Sequence, residues 1–204
     1  NYQLGAQSKQ QALDIAERIG LDRSPTFLTA RCNLAVSFTS LGRWQDAIDH
    51  GERCVAGRTD RLGSAHPSLV AAWQNLGQAQ MWLGRFDEAE QNLGKAVAMA
   101  ELQVDDNNIQ RLAAEINLAQ VQWRTGKAAV AKTALQSVEA RMLDAYGVDY
   151  PATARVRSLL GRVLLDLGEQ QDALVRLRAA LATLQASPQW SIAGHVWASD
   201  GCVW

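Results

Sequence analysis

The sequence predicts an all-α fold, an α-solenoid of antiparallel helix pairs. Three observations predict it: an internal repeat, a register of small residues carried by that repeat, and a helix-favouring composition. Gly42, Gly84, Gly126 and Gly168 are spaced by 42 residues. Five residues after each stands an alanine: Ala47, Ala89, Ala131 and Ala173. Eight before each stands a leucine (Leu34, Leu76, Leu118, Leu160), followed by a small Ala35, Gly77, Ala119 or Gly161. Seventeen before each stand Pro25, Pro67, Ile109 and Pro151. A fixed period of this length marks stacked supersecondary units. Only 4 prolines in 204 residues, with Ala, Leu and Gln abundant, agree with helix.

Taken in order, residues 1–24 read as the second helix of a truncated preceding unit. Tyr2 falls in register with Trp44 and Phe86, and Ala12 with Cys54, Ala96 and Ala180. Four units follow, at 25–66, 67–108, 109–150 and 151–187, the last helix ending near Ala186. The prolines suit the first helical position, where a missing N–H costs nothing. Ser24 and Asn108 are good N-caps. Apolar or small residues recur at helical spacing, as in Phe27, Ala30, Leu34 and Phe38, or Ala72, Leu76 and Ala79. The periodic glycine ends the first helix in the left-handed conformation of a C-cap. A second amphipathic helix follows, as in Phe86, Ala89, Leu93, Ala96 and Val97, with Asp87 and Glu88 at its positive end. Small residues at Ala35, Gly77, Ala47 and Ala89 let the paired helices approach closely.

Composition excludes several classes. The formal net charge of -1 carries no basic excess, so no nucleic-acid partner is expected. No apolar run is long enough to span a membrane, and no membrane partner is expected. The first residues lack both an initiator Met and a signal-peptide pattern, so the chain reads as a processed or excised piece. Its compartment is unknown from sequence, with the cytoplasm favoured. Cys32, Cys54 and Cys202 are odd in number and widely spaced, which implies no disulfide framework. Cys54 takes a small-residue core position and reads as a buried, inert thiol.

Leu76-Gly77, Gly84, Phe86, Ala89 and Ala96 resemble the signature of the tetratricopeptide repeat (TPR). That family has a period of about thirty-four; the extra residues here add about one turn to each helix. The segment 62–101, with Gly63, His66-Pro67, Asn75-Leu76, Gly84-Arg85-Phe86 and Glu88-Ala89-Glu90, looks like the long repeats of kinesin light chains and bacterial TPR proteins. The resemblance spans roughly residues 1–186 and departs at Ile109, Ala128 and Gln170. It implies a right-handed superhelix acting as a protein-interaction scaffold.

No catalytic constellation stands out. His50, His66 and His195 make no metal-ligand spacing with cysteines, so no metal or cofactor is expected. Gly126-Lys127 lacks the rest of a phosphate loop and falls on the periodic turn. Asp105-Asp106 and Glu88/Glu90 fit solvated helix ends. His66, beside Pro67, reads as a turn or cap residue. The chain is expected not to be an enzyme.

Asn33, Asn75 and Asn117 each precede the periodic leucine. Asparagine is a poor residue for a helix interior. Three in register point either to a structural hydrogen bond or to a ligand-facing role. The TPR resemblance implies that this position faces the concave groove, where an amide can meet a peptide unit with both donor and acceptor. It implies the same of Gln74, Gln78, Met81 and Trp82 in the second unit, Ile116, Gln120, Trp123 and Arg124 in the third, and Arg155, Ser158 and Arg162 in the fourth. Trp82 and Trp123, one residue apart in register, either rise at the groove rim or pack against the next unit. Arginines toward the C-terminal units favour a peptide with an acidic feature.

Residues 188–204 leave the repeat and hold Trp190, Trp197 and Trp204. Val196-Trp197 and Cys202-Val203-Trp204 around Asp200-Gly201 read as a short hairpin or extended strand. Such a segment either caps the last unit, enters a groove, mediates self-association or is a disordered end. The expected function is a scaffold that binds a partner's peptide in its concave groove. The alternative is the regulatory region of a larger signalling enzyme, a kinase or protease, whose catalytic domain lies outside this chain.

Overall fold

The computed structural model describes residues 2–21, 24–103 and 105–186. Every regular element among them is a helix: α1 (Tyr2–Arg18), α2 (Pro25–Ser40), α3 (Trp44–Leu62), α4 (Ser68–Leu83), α5 (Phe86–Gln103), α6 (Ile109–Arg124), α7 (Ala128–Tyr146), α8 (Pro151–Asp166) and α9 (Gln170–Ala186). The all-α solenoid class holds. α3, α5, α7 and α9 begin at Trp44, Phe86, Ala128 and Gln170, all in one register, whether or not that position is aromatic. The helix start is therefore set by the turn before it, not by the ring.

Local chemistry accounts for the ends. The Ser24 hydroxyl accepts from the Phe27 N–H, and the Asn108 carboxamide from the Gln110 N–H, so both predicted caps form. Pro25 and Pro151 open their helices, whereas Pro67 stands one residue ahead of α4. There His66 caps: its Nδ1 accepts from the Ser68 N–H at 3.2 Å. At the other end, Gly84 adopts φ +85°, and the Arg85 N–H reaches back to the Gln80 carbonyl at 2.9 Å. Gly126 and Lys127 repeat this closure, with φ +81° and a Lys127 N–H to Gln122 carbonyl bond of 2.8 Å. The paired bonds satisfy carbonyls that the helix end would orphan. Gly126-Lys127 is thus a helix stop.

Two compact units divide the chain, one ending at Gln103 and one beginning at Val104. In the first, α1 packs on α2, α2 pairs with α3, α3 packs on α4, and α4 pairs with α5. Its core includes Leu34, Phe38, Ile48 and Leu76. In the second, α6 pairs with α7, α7 packs on α8, and α8 pairs with α9, around Leu112, Leu135, Leu160 and Leu164. First helices also touch each other directly: α2 with α4, and α6 with α8. The small-residue register permits the pairing. A Cβ added to Gly77 would lie 2.6 Å from the Leu93 Cγ and 3.2 Å from the Ala89 carbonyl oxygen.

One expectation is overturned. Cys32 and Cys54 form a disulfide between α2 and α3, with Cα atoms 5.2 Å apart. The sequence spacing of 22 residues concealed the pairing because antiparallel helices bring distant positions opposite each other. Cys54 is buried as predicted, but it is bonded and not a thiol. Residues 188–204, including Cys202, Trp190, Trp197 and Trp204, lie outside the described residues, and so does the hairpin or strand expected of them.

Candidate functional site

The first helices carry the predicted site. At about 100° per residue, Asn75, Gln78 and Trp82 project from one side of α4, and Trp73, Leu76 and Gln80 from the opposite side. Gln74 stands between the two sets, and Gln74, Asn75 and Gln78 are all half-buried. Trp82 stacks on Trp44 of α3, ring centroids 6.0 Å apart and planes 26° from parallel. It is thus anchored on the preceding repeat.

The second unit brings more of the predicted residues together. Arg155 of α8 donates from Nη2 to the Asn117 Oδ1 of α6 at 2.8 Å. Asn117 is 1% exposed, and Gln120, one turn along, is also buried. Two turns beyond Arg155, the Arg162 guanidinium lies 4.7 Å over the Trp123 ring. The Trp123 indole N–H donates to the Asp166 carboxylate at 2.6 Å. Asn117, Gln120, Trp123, Arg155 and Arg162 therefore form one α6–α8 surface, while Arg124 is solvent-exposed at the end of α6.

The three register asparagines do not share an environment. Asn33 is exposed, Asn75 half-buried and Asn117 buried. The reason lies on the next first helix. Arg155 reaches Asn117, but two repeats back that position is Ala71, too short to reach Asn33. Leu118 is correspondingly half-buried where Leu34, Leu76 and Leu160 are buried.

The sequence reading missed a polar layer at one further register position: Arg31, Trp73, Glu115 and Arg157. Arg31 pairs with Glu17 of α1. Arg157 donates from Nε to Glu139 of α7 at 3.1 Å, and Arg176 of α9 reaches the same oxygen. Glu115 pairs with Arg111 and Arg141 within the α6–α7 hairpin. The signal was present, since large polar side chains recur where small or apolar ones would otherwise pack. Asp105 and Asp106 serve the turn before α6: Asp105 accepts from the Asn107 N–H, and Asp106 pairs with Arg111 at 2.5 Å.

Among the described residues no group of His, Cys, Asp or Glu is arranged to hold a metal ion. None of their helices is long and apolar enough to cross a membrane. What the α6–α8 surface offers is two fixed cations and an indole face, backed by the buried carboxamides of Asn117 and Gln120. These groups suit hydrogen bonding to a polypeptide and ion pairing with a carboxylate.

Stacked helix pairs with small-residue contacts and left-handed glycine stops define a helical-repeat scaffold. Residues 27–68 and 68–144 match models of the tetratricopeptide repeat, together more than half of the 204 residues. The chain belongs to the tetratricopeptide-repeat family. It is similar to crystallised, nearly identical TPR-like repeats assigned to a kinesin light chain of Podosopora anserina. That likeness has a TM-score of 0.77 and 25% identity, covering 91% of this chain and 89% of that one. BtubC (BKLC) from P. vanneervenii matches with a TM-score of 0.75 and 17% identity, over 100% of this chain and 88% of its own. A Rap protein complexed with competence and sporulation factor matches with a TM-score of 0.68 and 10% identity, over 90% of this chain and 51% of its own. No curated protein sequence matches. The repeats mark a protein–protein interaction scaffold, of a kind that is typically non-catalytic.

Proposed function

We propose that the chain binds a peptide segment of a protein partner along its first-helix surface, and that the α6–α8 patch receives an acidic feature of that peptide. The observation that carries this reading is the Arg155–Asn117 bond beside Arg162 and Trp123. A carboxylate reaching this patch meets two guanidinium groups already held by side-chain contacts, so little freedom is lost on binding. In the first unit, the half-buried Asn75 and Gln78 offer paired donors and acceptors suited to a peptide backbone. The fold of the Rap protein, seen in complex with a factor, supports the capacity of such repeats to hold a partner.

Selection from a displayed library of random peptides tests the proposal. The chain is expected to enrich peptides rich in Asp or Glu, or ending in a captured carboxylate. Arg155→Gln with Arg162→Gln is expected to weaken the selected peptides about tenfold or more, and Asn75→Ala with Asn117→Ala by a smaller factor. Peptides with no acidic bias, or affinities unchanged by both pairs of substitutions, reject it.

A further inference from the structure

We propose that the first unit carries a second binding site, a cleft between α3 and α5 that takes an arginine side chain of a partner polypeptide. The cleft has a volume of about 700 Å³ and is floored by α4. It opens on the Trp73 and Gln80 side of that helix, opposite Asn75 and Gln78, so it is independent of the surface proposed above.

Its floor combines the apolar Trp73 and Leu76 with one polar side chain, Gln80, held in place by hydrogen bonds. Gln80 is 2% exposed; its Nε2 donates to Glu88 at 3.1 Å, while its Oε1 accepts from the buried Asn92 at 2.7 Å. Glu52 and Asp60 of α3 face Glu88 of α5 across the opening. Against these three carboxylates the lining holds one cation, Lys95, whose ammonium lies 4.4 Å over the Trp73 ring. Arg85 approaches Glu88 from outside the lining at 3.8 Å. The excess is negative, and the aromatic face already binds a cation.

The repeat itself indicates which cation fits. Arg31 and Arg157 occupy the register position of Trp73, and each places a guanidinium on a carboxylate of the preceding second helix, Glu17 or Glu139. At the second of these junctions Arg176 adds another guanidinium. In register, Glu139, Arg157 and Arg176 correspond to Val55, Trp73 and Asn92, all three of which line the cleft. Where the repeat lacks its arginine, Val55 also replaces the acid of Glu139, the space stands open, and other carboxylates, Glu52, Asp60 and Glu88, line its walls. A guanidinium suits it better than an ammonium. Its plane stacks on an indole, and its several donors reach carboxylate and carboxamide oxygens together. Lys95 has a flexible stem and can yield the ring face to it.

Amide and indole NMR of the full chain, titrated with a blocked Ala-Arg-Ala peptide, tests this. The Trp73 indole and the Gln80 and Asn92 side-chain amides are expected to shift. The citrulline peptide, which lacks the charge, should bind about tenfold more weakly or worse. Glu52→Gln with Glu88→Gln is expected to weaken the arginine peptide about fivefold. Trp73→Arg supplies the missing cation from within and is expected to abolish the response. Equal responses to the citrulline or lysine analogue overturn the proposal. So do shifts confined to residues beyond Val104, or titrations unchanged in the Glu52/Glu88 variant.

Discussion

The sulfur atoms of Cys32 and Cys54 are joined, and the bond ties α2 to α3 inside a single helix pair. Both residues are buried, at 8% and 2% exposure, so the bridge is part of the core of the first unit. Closing a loop of 22 residues removes freedom from the unfolded chain, worth about 3 kcal/mol in the loop-entropy account. Cys32→Ala with Cys54→Ala is therefore expected to lower unfolding stability by about 2–4 kcal/mol. Denaturant titration of both forms, with and without reductant, checks it. The oxidised wild type should exceed the variant, and reduction should remove most of the difference. Full labelling of both cysteines by a thiol reagent in the native, unreduced protein would contradict the bridge.

The contrast between Gly77 and Gly94 supplies a paired test of the close-packing register. A Cβ at Gly77 meets the Leu93 Cγ at 2.6 Å and a carbonyl oxygen at 3.2 Å, whereas one at Gly94 meets nothing within 4 Å. Gly77→Ala is expected to destabilise by about 1–3 kcal/mol, because Leu93 has to leave its place in the core. Gly94→Ala, in the middle of α5, should stabilise by about 0.5–1 kcal/mol by restricting the unfolded chain. Gly161→Ala should behave like Gly77→Ala, since its Cβ would lie 2.7 Å from Leu177. Urea midpoints of the three variants check the signs.

This packing register is also the part of the protein most legible in the sequence. Gly77, Ala89 and Gly84 recur because close approach and a left-handed stop admit few residue types, so geometry writes itself directly into identity. The first-helix placement of the polar register residues was legible, but their environments were not. Asn33 and Asn117 look alike in sequence, and only the residue opposite, Ala71 or Arg155, decides which is buried. Such partners lie about forty residues away, and neither caps nor periodicity encode them. Caps and periodicity likewise do not encode Cys32 with Cys54 or Glu139 with Arg157, although these pairs are only 22 and 18 residues apart.

Glu139 holds two arginines. Its carboxylate is 4% exposed and accepts from Arg157 on α8 and Arg176 on α9. Elsewhere in the register stand Val55, Val97 and Leu181, so this is an acid at an apolar position. Glu139→Gln leaves the buried Arg157 without its counter-charge and is expected to cost about 3–5 kcal/mol. Glu139→Val with Arg157→Met removes the charge problem together with the pair, and should recover most of that loss. Thermal unfolding of the single and double variants separates the cases. A double variant less stable than Glu139→Gln would show that the network is held by something other than charge compensation.

His50 is expected to make the stability of the first unit depend on pH. Its ring lies 5.4 Å from that of Phe38, and Nδ1 is buried without a hydrogen-bond partner. Burial holds its pKa below the ordinary 6.5, and Arg31 and Arg53 push in the same direction, against Asp46 and Asp49. The folded protein therefore takes up the proton later than the unfolded chain does. Well above pH 6.5 the ring is neutral in both states and adds no slope. As pH falls below that value the unfolded state protonates first, and stability drops by at most about 1.4 kcal/mol per pH unit. The loss levels off once the folded pKa is passed. His50→Asn, the residue found at the equivalent position 92, removes this linkage. Urea unfolding followed from about pH 7.5 down to about pH 5 should give a flatter profile for the variant than for the wild type. Parallel profiles would show that the ring charges as readily in the fold as out of it.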